Sequence, residues 1–268
     1  MYNHSAVKLN GKNNAKSNSN AIVVSLLLLI LGGNGAGGGN YYNFGNSFSN
    51  HNTSSTVYGD GASDVFSKLG SEFSGPLTAV VVGVIIVAFL LSISFSLFVS
   101  MPVQVGGAGW FRRSVNAENP TIGSLFSTFK SGHYLTTIGT MFMYNLYIFL
   151  WSLLCLIPGI IKGYSYMMVP YIKSENPNLS ADECINMSRQ MTDGHKADLF
   201  YLDLSFIGWF ILSICTCCIL GILYVYPYYN STKACAYEAL KAEAINSGKL
   251  SPEQFKPADG GYYATTGY

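Results

Sequence analysis

Gly194-His195-Lys196-Ala197-Asp198-Leu199-Phe200-Tyr201-Leu202-Asp203-Leu204-Ser205-Phe206-Ile207-Gly208-Trp209 starts as a charged turn and runs on through an apolar segment that ends near Cys218. A helix enters a bilayer in this way from the side that holds the basic residues. His195 and Lys196 therefore read as anchors at the inner, anionic surface. Gly208 and Trp209 read as helix-packing positions, the glycine permitting close approach and the indole offering a large contact surface. Asp203 and Ser205 fall inside the apolar run, where an ionisable group is a functional candidate by default.

The whole composition agrees with a membrane domain. Of 268 residues 49% are hydrophobic and only 11% are charged, against about 25% charged in an ordinary soluble domain. A net charge of +1 offers nucleic acid no basic face, so no nucleic-acid partner is expected. The six cysteines lie in or beside apolar segments, outside the polar loops of a secreted disulfide framework. Cys215 and Cys218 have a C-x-x-C spacing, but zinc needs four ligands and the histidines lie far off in sequence, so buried thiols are expected. Gly33-x-Gly35-x-x-Gly38 spells a dinucleotide fingerprint, yet it follows an apolar segment and not a strand, and low complexity explains it better. There is no H-E-x-x-H and no G-x-S-x-G. No cofactor, metal or catalytic residue is expected.

Along the chain, the expected fold is all-α: a polytopic membrane helical bundle of about six transmembrane helices with interfacial amphipathic helices. Residues 1–20 read as a polar cytoplasmic end, 21–245 as the membrane domain with a disordered outer loop at about 40–75, and 246–268 as a disordered cytoplasmic tail. The expected spans are 21–31, 77–99, 134–157, 160–172, the run from Lys196, and 222–240. The first, preceded by Lys8, Lys12 and Lys16 and followed by glycines, also fits a cleaved signal peptide. No clean A-x-A site follows it, so a retained helix is the expectation. Trp110-Phe111-Arg112-Arg113 closes the second span, with Arg112 and Arg113 as interfacial anchors. Residues 114–133 read as a surface helix at the same interface.

Gly159-x-x-x-Gly163 predicts close packing of the short fourth helix, and Lys162 reads as snorkelling to the outer headgroups. Ser180 with Glu183 predicts a capping box and a helix over 181–191, stopped by Gly194, with Cys184, Ile185, Met187 and Met191 available to the bilayer. Counting basic residues puts both ends on the cytoplasmic side of the membrane and leaves Lys68 outside.

A tight turn near Leu220-Gly221 makes the last two spans antiparallel neighbours, which sets Asp203 level with Tyr237 and Lys233 about one turn deeper. The reading pairs Asp203 with Lys233, with Tyr237 or Ser205 adding hydrogen bonds. Lys233 snorkelling alone beside a hydrated Asp203 stays open as the alternative. Asp203, Ser205, Lys233, Tyr237 and Glu238 thus form the candidate polar cluster.

Four motifs stand in order: Leu156-Ile157-Pro158-Gly159-Ile160-Ile161-Lys162-x-Tyr164-Ser165-Tyr166, Ser188-Arg189-x-Met191-x-x-Gly194-His195-Lys196, Leu202-x-Leu204-Ser205-Phe206-Ile207-Gly208-Trp209, and Pro227-Tyr228-x-x-x-Thr232-x-Ala234-x-x-Tyr237-Glu238. Over roughly residues 77–245 the chain resembles the domain-of-unknown-function 975 family of multi-pass membrane proteins, found mostly in Gram-positive bacteria. The resemblance implies a six-helix membrane fold and a plasma-membrane address, with no established reaction. It also extends distantly to the non-catalytic membrane domain attached to some glycerophosphodiester phosphodiesterases. The chain departs from the family pattern in its long Gly/Asn/Ser loop, its short first apolar run and Lys233. The expected role is non-enzymatic, through association with lipid, another membrane protein or a second copy of the chain. The alternative is a small-solute transporter that uses the polar cluster.

Overall fold

The computed structural model describes residues 3–31, 76–130, 132–216 and 219–256. The expected outer loop, Cys217, Cys218 and the last residues of the tail lie outside them. Among the described residues every regular element is helical and there is no strand.

The uncharged run that opens with Pro76, a residue suited to a first helical turn, forms α1 (Pro76–Phe95). It passes through one π-helical turn, Ser96–Ser100, into α2 (Met101–Val115). The two halves face different surroundings. Residues 80–96 are exposed all round although nearly all are apolar, whereas α2 is buried along most of its length. A helix apolar on every side needs an apolar medium, protein or lipid. Ile122–Phe126 and the single turn α3 (Ser127–Lys130) then fold against α2.

Two hairpins follow. In the first, α4 (Tyr134–Leu154) breaks at Cys155 and returns as α5 (Leu156–Tyr166). A Cβ at Gly159 would lie 2.8 Å from the Cα of Ser152, so the tight return requires glycine there. Gly163 is buried further along the same helix. Then α6 (Val169–Glu175) packs on α2, and α7 (Ala181–Met191) begins at a capping box. Ser180 Oγ accepts from Glu183 N at 3.3 Å, and Glu183 Oε2 accepts from Ser180 N at 2.7 Å. Gly194, with φ +89°, turns the chain out of α7. In the second hairpin α8 (Lys196–Cys215) returns through a π-helical turn, Gly221–Val225, into α9 (Tyr226–Asn246).

The amino-terminal residues are folded, and their polarity hides it. Asn3 caps a helix, α10 (His4–Ser17), and α11 (Asn20–Leu31) leaves it at a 100° bend. The helix α10 packs closely along α9: a Cβ at Gly11 would meet Thr232 Cα at 2.6 Å, and Asn14 donates to Ser231 at 3.4 Å.

Several expectations change. Among the described residues three helices are long and apolar enough to cross a membrane, Val80–Val115, Tyr134–Leu154 and Lys196–Cys215, or four if the bent α10–α11 pair is one broken span. The expected span at 160–172 is two short helices, and α6 is buried in protein. The expected span at 222–240 is helical but polar, with every residue from 227 to 237 buried. The face of α7 assigned to the bilayer packs inside the molecule.

Candidate functional site

Asp203 lies on α8, one turn along from Leu199 and next to Leu202, both of which are buried. Across from it, α9 sends in Tyr229, Lys233, Tyr237 and Lys241, each four residues from the last and therefore on one stripe. Lys233 Nζ is 2.7 Å from Asp203 Oδ1 and has no exposed surface. Tyr229 donates to Asp203 Oδ1 at 3.2 Å, and Tyr164 of α5 donates to Oδ2 at 3.0 Å. The lysine also donates to Met167 Sδ at 3.0 Å and lies 5.2 Å from the centre of the Tyr229 ring. Both charges are thus paired and hydrogen-bonded, the condition under which burial of charge is tolerated.

Further down the stripe a second cluster forms around Glu175, at the end of α6. Tyr237 donates to Glu175 Oε2 at 2.6 Å, Lys241 forms an ion pair with Oε1, and Arg112 Nη1 approaches Oε1 at 3.8 Å. Tyr171 stacks on Tyr237 with ring centres 5.2 Å apart. Asn116 donates to Glu238 Oε1 at 3.1 Å beside them. The ends of α2, α6 and α9 are therefore held at one level.

The five residues grouped from sequence divide between these clusters and a third contact. Asp203 and Lys233 meet each other; Tyr237 and Glu238 belong to the Glu175 group; Ser205 accepts from Lys8 Nζ at 3.0 Å. The reason is register. Gly221 already packs on Ser213, where a Cβ would come 2.2 Å from Oγ, so the hairpin turns before Leu220-Gly221. That earlier turn brings Asp203 level with Tyr229 and Lys233 and leaves Tyr237 below it.

Three of the four expected anchors make polar contacts within the protein. Arg113 is buried and donates to Gly109 O at 3.2 Å, while Arg112 faces Glu175. His195 bridges Asp198 at 3.1 Å and Glu243 at 3.4 Å. Lys196 stands beside an apolar groove between α5 and α8. Gly208 faces open space, and Trp209 packs on Tyr224 with ring centres 5.5 Å apart. Tyr164, Met167, Glu175 and Lys241 were not singled out by sequence reasoning. The four-residue period Tyr229, Lys233, Tyr237, Lys241 is the signal that leads to them, since each lysine on a buried stripe requires an acid.

A family model described as "Protein of unknown function (DUF975)" matches residues 79–244, more than half of the chain and all of both clusters. The chain belongs to that family. No curated protein and no solved structure matches it. The DUF975 region contains α2 to α8 and all of α9 but its last two residues, so the Asp203–Lys233 pair lies wholly within it, while Lys8 on α10 reaches Ser205 from outside the matched range.

Proposed function

We propose that this DUF975 protein is a non-enzymatic, multi-pass component of a bacterial plasma membrane that acts by associating with lipid or with another membrane protein. One observation carries the reading: the polar groups of the helical bundle face one another, while its outer surface is apolar from Val80 through Phe95 and along Leu153, Leu154, Ile207 and Ile211. Burial of paired charge inside an apolar exterior is an arrangement suited to hydrocarbon and unsuited to water.

In this proposal the chain makes about six passes, with the α5–α6 limb and α9 completing the six and with α6 and α9 shielded by protein, and both ends are cytoplasmic. The shared level of Arg112, Glu175 and Lys241 supports it, because it keeps residues near 115, 175 and 241 together. Reporters fused after residues 60 and 220 are expected outside, and those after 120, 180 and 245 inside. The functional test is native mass spectrometry of the full chain released from its membrane in gentle detergent. Retention of lipid, or of a membrane protein at fixed stoichiometry, is the expected result; a bare monomer would overturn it.

A second reading, solute permeation, has one observation in its favour. Asn230, one turn from Lys233, is buried with neither amide atom hydrogen-bonded. Solute flux in proteoliposomes that Asp203→Asn abolishes without loss of folded protein would establish this reading in place of the first.

A further inference from the structure

The groove between α5 and α8 is lined by Ile157, Ile160, Ile161, Tyr164, Ala197 and Phe200, with Lys196 at its edge, and encloses about 290 Å³. Its isoleucines and Phe200 are exposed. Beside this apolar channel stand three cations from three helices. Lys196 of α8 lines the groove, Lys162 of α5 lies between the groove residues Ile161 and Tyr164 in sequence, and Arg189 of α7 follows Ser188, whose hydroxyl donates to Ser165 O of α5 at 2.8 Å, so that the charges of Arg189 and Lys196 both bear on Lys162. Among the described residues none of the three meets a carboxylate. The acids nearest in sequence are engaged elsewhere, Asp193 with Lys249 and Asp198 with His195. Lys162 rests instead over the Trp151 ring, 4.9 Å from its centre.

Three like charges gathered without an anion leave a site of strong positive potential, and the adjoining groove has no polar group to offer except the Tyr164 hydroxyl, which is committed to Asp203. A free inorganic anion would use the cations and leave the groove empty. A zwitterionic lipid would bring its own cation against them. An anionic phospholipid satisfies both halves, its phosphate between the cations and an acyl chain along the isoleucines.

We propose that Lys162, Arg189 and Lys196, with the groove from Ile157 to Phe200, form a binding site for one anionic glycerophospholipid. The inference rests on the lipid-association reading above and names its ligand class. Because Tyr164 both lines the groove and holds Asp203, occupancy of the site is linked to the buried ion pair, and bound lipid stabilises the bundle.

The test compares palmitoyl-oleoyl phosphatidylglycerol with palmitoyl-oleoyl phosphatidylcholine, each titrated into the detergent-purified full chain, with inorganic phosphate as a third arm. Lipid adducts are counted by native mass spectrometry and thermal stability is followed in parallel. Phosphatidylglycerol is expected to bind in preference and to raise the melting temperature, and each of Lys162→Gln, Arg189→Gln and Lys196→Gln to weaken it about fivefold. Ile161→Trp, which fills the groove and leaves the charges, is expected to weaken the lipid too. Arg189 is exposed and its replacement leaves the packing untouched, so that variant gives a reading even if another fails to fold. A preference for phosphatidylglycerol that survives all three glutamine changes would overturn this site while leaving lipid association standing elsewhere on the protein. No lipid retained by the wild type would overturn the site and the lipid arm of the broader reading together. Stabilisation by inorganic phosphate equal to that by phosphatidylglycerol would overturn the lipid assignment in favour of a free anion.

Discussion

Lys233 is a fully buried lysine on a helix whose own neighbours give it no carboxylate, and its charge is balanced from α8 by Asp203. Removing one partner leaves the other charged in a dry interior, which costs about 3–5 kcal/mol for a buried pair. Asp203→Asn and Lys233→Met are each expected to lower the melting temperature in detergent, and the double variant to lose less than the sum of the two. Strictly additive losses would contradict the pairing. The pairing could be proposed from sequence, beside the alternative of a lone snorkelling lysine, because both charges fall in runs read as membrane spans. Their tyrosine partners were not, because a small displacement of the hairpin turn changes which side chains are level. A quieter residue gives a second prediction. Ser180 and Glu183 cap α7 reciprocally, and the Ser180 backbone and side-chain donors hold the Glu183 carboxyl below its ordinary value. A carboxyl depressed on folding stabilises at pH above its unfolded value, near 4.3, and loses that contribution as pH falls through the folded value. Ser180→Ala should cost about 1 kcal/mol at neutral pH. Glu183→Gln should flatten the acid limb of a stability profile measured from pH 6 to pH 3. An unchanged acid limb would show that the box does not hold in solution.

Helices differ in how openly their sequences declare them. The apolar runs behind α1, α4 and α8, and the capped start of α7, could be read from composition and spacing alone, since their signals are local. The amino-terminal helix α10 could not. It meets α9 through Val7, Gly11 and Asn14, a stripe of small and polar residues that carries no hydrophobic period. Its fit is nevertheless tight. Gly11→Val would drive a branched side chain into the Thr232 backbone, and overpacking of this kind costs about 1–3 kcal/mol. Protease sensitivity of residues 4–17 should rise in that variant, and protection equal to wild type would show that α10 does not dock. Glycines in the hairpins make a matched pair. Gly159 is pressed against Ser152, whereas Gly208 faces open space. Gly159→Ala should destabilise, while Gly208→Ala should be neutral or gain a few tenths of a kcal/mol from helix propensity. Thermal melts of the two proteins decide between this assignment and the sequence reading, which gave both glycines packing roles.

At the scale of the molecule, charges and hydroxyls gather on the α9 stripe beside an apolar core, and isoleucine, leucine, valine and phenylalanine line the exposed faces of α1, α4 and α8. Mean composition was enough to indicate a membrane domain. It was not enough to count the passes, because α6 and α9 are short or polar and lie buried against their neighbours, a property that no window of sequence contains. In α1 the contrast is greatest, since residues 80–96 are exposed and, among the described residues, have little beside them but the helix's own continuation into α2. Lipid around that exterior is the central claim, and it is open to direct measurement. Single spin labels placed at Val84, Leu153 and Ile211 of the chain reconstituted in a bilayer, with a fourth at Asp193 as the polar reference, report collision with oxygen and with a water-soluble nickel chelate. The first three labels should be relaxed by oxygen and shielded from nickel, with the reverse at Asp193. Nickel access at Val84, Leu153 and Ile211 equal to that at Asp193 would contradict it.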